Sequence, residues 1–143
     1  MTASALQSSD TWILCALVHA TEPGAHASLS ELIRAADAVN HAVVTRGELE
    51  TGFDRLVAAG HASASPDGYA PSEAIREFWN KKTKSWGALY KSWEQLGKHV
   101  GAEAMSTGPL QDTDAEHYVS KAAYEAAIAS YSVNIPHPFL RKT

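Results

Sequence analysis

With 143 residues, 45% of them hydrophobic and 20% charged, the chain can bury one ordinary core and is too apolar to be read as disordered. Its single cysteine, Cys15, excludes an intrachain disulfide, and its longest apolar run, Trp12 to Val18, falls far short of the roughly 20 residues that span a bilayer. The net charge of −4 is uneven: residues 1–75 hold three basic and nine acidic side chains, whereas residues 76–98 hold six basic and two acidic ones. A polyanionic partner would therefore be met by the middle of the chain.

Residues 1–10 read as a flexible leader, and MTASALQSSD lacks the basic and apolar regions of a signal peptide, so a soluble, cytoplasmic protein is expected. Asp10 or Thr11 can cap a first helix carrying Ile13, Ala16, Leu17 and Ala20 at helical spacing. Ser28 to Glu31 (SLSE) has the form of a capping box and opens a second helix with Leu29, Leu32, Ile33 and Ala36 buried. A second box, Thr45 to Glu48 (TRGE), opens a third, with Leu49, Phe53, Leu56 and Val57 inward and Gly60 as its stop. Pro66-Asp67-Gly68 then marks the turn of a β-hairpin.

Ser72 caps a fourth helix that the pattern carries through Trp79 to about Val100. Thr113 to Glu116 (TDAE) predicts a last helix reaching about Tyr131, and Pro136 and Pro138 keep the tail extended. The fold class is thus mainly α with a small β-hairpin wing. A winged helix-turn-helix domain (residues 11–72) is followed by a helical dimerisation or packing region (73–131) and an extended tail (132–143).

From Ser28 to Tyr69 the sequence resembles winged-helix regulators of the MarR and PadR type, in which a capped third helix precedes a glycine-tipped wing. The resemblance covers roughly residues 11–78. It implies a third helix that enters the major groove of double-stranded DNA and a wing that touches phosphate or the minor groove. On that basis Arg46, Thr51 and Arg55 are candidate DNA contacts. Surface pairing of Arg46 and Arg55 with Glu48, Glu50 or Glu31 is the alternative. Glu50 and Asp54 face the same way and would be repelled by phosphate, and the wing, HASASPDGYA, contains no lysine or arginine.

Trp79, Trp86 and Trp93 are seven residues apart, and with Leu89, Tyr90 and Leu96 they form one apolar stripe along the fourth helix. Read as one rod from Glu73 to Val100, that helix is about 42 Å long, more than a winged domain can cover. A second copy of the chain, joined by the last helix, is the expected partner along this seam. Lys84, Lys91 and Lys98 repeat the same step on the opposite face, which makes Lys84 and Lys91 further candidate DNA contacts, or simply part of a solvated face.

The seven histidines show no metal-ligand spacing, and there is no G-x-S-x-G elbow, phosphate loop or dinucleotide fingerprint. No enzyme activity, cofactor or metal is expected. A small-molecule effector pocket lined by Trp86, Tyr90 and Trp93 is a variant, set against an aromatic stripe that is simply core. The favoured reading is a dimeric DNA-binding transcriptional regulator. The alternative is a winged-helix protein-interaction module that binds no DNA.

Overall fold

A computed structural model describes residues 6–82, 89–103 and 112–134. Among these residues the helices are α1 (Ser8–Ala20), α2 (Leu29–Asn40), α3 (Arg46–Ala58), α4 (Glu73–Lys82), α5 (Leu89–Val100) and α6 (Lys121–Asn134), with strands β1 (Ala62–Ser65) and β2 (Gly68–Pro71) after α3. The order of three helices and a hairpin is that of a winged helix.

Helix α1 is the axis of the molecule. Every residue from Trp12 to Val18 is at most 4% exposed, because seven consecutive apolar side chains leave a helix no face to give to water. It is covered by α2, α3, α5, β2 and part of α4. The Trp12 indole, buried with the rest, donates to the Ala36 carbonyl of α2 at 2.8 Å. Cys15 lies in this run, and burial pushes its thiol up to about 12, which leaves it an inert core residue.

The two capping boxes form as expected. Ser28 Oγ accepts from the Glu31 N–H at 3.1 Å while Glu31 accepts from the Ser28 N–H at 2.8 Å. Thr45 and Glu48 make the same exchange at 3.1 and 2.9 Å. Helix α1 begins earlier than its sequence suggests, at Ser8, with Asp10 accepting from the Gln7 N–H at 2.9 Å. Residues of the expected leader are already held: Leu6 is 7% exposed, and Ser8 donates to the Glu103 carbonyl at 2.7 Å.

The hairpin pairs Ala62 with Pro71 and Ser65 with Gly68. Ala27, just before α2, adds one rung through reciprocal hydrogen bonds with Tyr69 of 2.8 and 2.9 Å. That rung requires glycine at position 68: its φ is +127°, and a Cβ there would lie 2.5 Å from the Ala27 carbonyl oxygen.

The single 42 Å rod is not formed. The Phe78 ring of α4 stacks on the His99 ring of α5 with centroids 3.7 Å apart. In one straight helix these residues would stand about 31 Å from each other. Instead α5 lies back along α1 and α2. The reason is the all-round apolarity of α1, whose remaining side needs a cover that the wing cannot reach. Trp79 and Leu96 are buried, at 8% and 0% exposure. Trp93 donates from its indole to the Ser8 carbonyl at 2.9 Å and the Thr11 hydroxyl at 3.1 Å, with its ring 6.2 Å from that of Trp12. Trp86 lies outside the described residues, and of Leu89 and Tyr90 only their place in the first turn of α5 is described. Trp79 and Leu96 are therefore covered within one chain, and no 42 Å rod calls for a second copy. Trp93→Phe keeps the ring and removes the donor, so it should cost about 1 kcal/mol in urea unfolding with an unchanged denaturant slope.

No helix among the described residues is long and apolar enough to cross a membrane.

Candidate functional site

Helix α3 packs on α1 through Leu49, Phe53 and Leu56, all fully buried, with Val57 half-buried beside them. Gly52 permits the close approach, since a Cβ there would stand 2.6 Å from Ile13 Cδ1. This register points Arg46 and Glu50, one turn apart, away from α1. Both are nevertheless buried, at 4% and 3% exposure. What covers them is the chain's own segment 112–120.

The expected helix from Thr113 does not start there; α6 begins at Lys121, where Ser120 Oγ accepts from the Ala123 N–H at 3.1 Å. The amides that a helix at Thr113 would have turned inward go elsewhere. The Glu50 carboxylate accepts from the N–H groups of His117, Tyr118 and Val119 at 2.8, 2.9 and 2.9 Å. Three successive amides converging on one anion form a nest, a concave main-chain site for negative charge. Arg46 does the converse. Its guanidinium donates to the carbonyls of Ala115 at 2.9 Å, Val119 at 2.6 Å and Thr113, and pairs with Asp112 at 3.0 Å. One side chain thus satisfies the segment's donors and its neighbour the acceptors.

Aromatic groups close the site. Tyr69 of the wing stacks on Phe53 with centroids 4.7 Å apart and donates its hydroxyl to the Tyr118 carbonyl at 2.6 Å. Tyr124 of α6 donates to the Val44 carbonyl at 2.7 Å. Burial first, and then the Glu50 carboxylate, push the Tyr69 phenol above its ordinary value, so it remains a donor. Asp112 moves the other way. Desolvation acts to raise it, but the Thr113 N–H and the Arg46 guanidinium together hold it below the usual carboxylate range.

The candidate DNA contacts are dispersed by this arrangement. Arg46 is committed to Asp112 and three carbonyls, not to the Glu48, Glu50 or Glu31 side chains, and presents no free face. Arg55 pairs with buried Asp10 at 3.2 Å and is 21% exposed. Thr51 is half-buried, and Asp54 is the exposed side chain on this stretch of α3. Lys91 is exposed on α5, far along the chain from α3, and Lys84 lies outside the described residues.

Comparison with protein-family models, curated proteins and solved structures returns no match to this chain.

An effector pocket was a variant of the sequence reading, and no metal site was expected. Of the proposed effector-pocket residues, Trp93 lines an open cleft of about 250 Å³ with Ser8, Thr11, Gly97 and Lys98. That is below the usual size of a small-molecule site. Among the described residues no three His, Cys, Asp or Glu side chains are grouped to hold a metal.

Sequence reasoning missed Asp112, Asp10 and the covering segment. One signal was present: Glu50, four residues after Arg46, is out of place on a phosphate-facing helix and suits a carboxylate that gathers main-chain amides instead.

Proposed function

We propose that this chain is a winged-helix protein-interaction module that does not read duplex DNA with α3. The observation that carries this reading is the commitment of Arg46 and Glu50, both buried, to the main chain of residues 112–119. Duplex affinity comes largely from exposed cations that neutralise phosphate. On α3 Arg46 is buried, Arg55 is paired to Asp10 and Asp54 is exposed, while the wing carries Asp67 at its turn and no basic residue. A helix that binds main-chain amides and carbonyls is instead equipped for polypeptide.

A second reading keeps one support. Lys81, Lys91 and Lys98 are exposed on α4 and α5, so a regulator that tracks phosphate through these helices is the competing proposal. A labelled random duplex at about 50 mM salt separates the two, because phosphate-driven binding is strongest at low ionic strength. The interaction-module reading predicts no saturable change in anisotropy with the wild-type chain. Binding that weakens steeply with added salt, and is lost in Lys91→Ala with Lys98→Ala, would establish the regulator reading in its place.

A further inference from the structure

The segment 112–120 is held differently from the rest of the molecule. It forms no helix or strand, and Asp112, Asp114, Glu116 and His117 are exposed. Val119, at 1% exposure, is its one buried side chain. What secures it is main chain: the amides of 117, 118 and 119 on Glu50, the carbonyls of 113, 115 and 119 on Arg46, and the Tyr118 carbonyl on Tyr69.

Two consequences follow from this chemistry. Main-chain groups are common to all sequences, so the contacts can be reproduced by another polypeptide of the same curl, with side-chain pockets supplying selectivity. Arg46 and Glu50 are buried charges held mainly by main-chain groups, and a buried charge is strongly unfavourable when stripped of its partners. Leaving the groove on α3 empty is therefore costly. A second backbone of the same curl would offset that cost.

Resting on the interaction-module reading, we infer that the α3 groove is a polypeptide-docking site whose resident ligand is segment 112–119, and that a partner segment enters by exchange with it. The partner is defined by the contacts. It carries three successive unsubstituted amides that curl around the Glu50 carboxylate, with an aliphatic side chain at the third in the place of Val119. A carboxylate seven residues earlier takes the place of Asp112 on Arg46. Proline is excluded at the three amide positions.

The test uses a labelled peptide of residues 112–120 and the full chain carrying Val119→Ala, which loosens the resident segment. Because a tethered segment competes at an effective concentration near millimolar, the variant should bind the peptide saturably and about tenfold tighter than wild type. The same peptide N-methylated at its Tyr118 and Val119 amides should bind about tenfold more weakly than the unmodified one, having lost two of the donors to Glu50. Equal binding of both peptides, or no saturable binding, overturns the inference. So does salt-dependent binding of random duplex by the variant, which would make the segment a mask over a DNA-reading helix. Amide exchange on the wild-type chain decides the matter if the variant does not fold. His117, Tyr118 and Val119 should exchange through an opening that leaves α1 protected, and exchange only through global unfolding overturns the proposal. Duplex binding by wild type defeats the interaction-module reading itself, whereas absence of both duplex and peptide binding defeats this inference alone.

Discussion

Replacing Glu50 with alanine lowers folding stability by about 3–5 kcal/mol, measured as a fall in the urea midpoint. The size comes from what is left behind. Three amides at 117–119 lose their acceptor, while Arg46 keeps its pairing with Asp112. Each stranded buried donor carries its own desolvation penalty, of order 1–3 kcal/mol before relaxation. Asp54→Ala, one turn further along the same helix but exposed, should change stability by no more than about 0.5 kcal/mol. The pair Arg46→Met with Glu50→Leu should be less destabilised than the sum of its single variants, because both side chains hold the same segment, whose contacts are lost only once.

Arg55→Gln should cost about 2–3 kcal/mol near pH 7 and markedly less in acid. Asp10 is 1% exposed, and its carboxyl is pushed above the ordinary 3.8 by burial, against the opposing pull of the Gln7 N–H and the Arg55 guanidinium. A carboxyl with a raised folded-state value binds its proton more tightly folded than unfolded. Its contribution to stability is then fully present below the unfolded value and is lost as pH rises through the folded one. Without Arg55, two of the opposing pulls vanish and the folded-state value rises further. The difference between variant and wild type is therefore small at acid pH and grows as pH climbs through the Asp10 range. Urea midpoints measured at successive pH values from acid to neutral read that trend directly. A pH-independent difference would mean that Arg55 acts through packing alone.

Local chemistry was the legible part of this fold. Ser28–Glu31 and Thr45–Glu48 announce two helix starts, and Pro66-Asp67-Gly68 announces the hairpin, because each signal is completed within a few residues. The stripe of Trp79, Trp93 and Leu96 was correctly apolar, but a seven-residue step cannot tell one rod from two helices lying back on a common core. The information that decided it sat elsewhere, in the unbroken apolar run of α1 that needs cover on every side.

The candidate site was harder to read for the same reason. Thr113 to Glu116 has the letters of a capping box, but Glu50, more than 60 residues away in sequence, takes the amides that follow and holds the segment out of helix. Thr113 Oγ1 accepts from the Ala115 N–H at 3.3 Å, a turn rather than a cap. Arg46 and Arg55 were visible as cations on α3. Nothing local shows that Asp112 and Asp10 meet them.

The central claim is that α3 holds segment 112–119 through the Glu50 carboxylate, and residue-resolved amide exchange in wild type and Glu50→Gln tests it most directly. The amides of His117, Tyr118 and Val119 lie outside any helix or strand, so in wild type their protection must come from Glu50. They should be protected in wild type and lose about tenfold or more of that protection in Glu50→Gln, as expected when a charged acceptor is weakened, while the amides of α1 hold theirs. Fast exchange of these three amides in the wild-type chain would contradict the account.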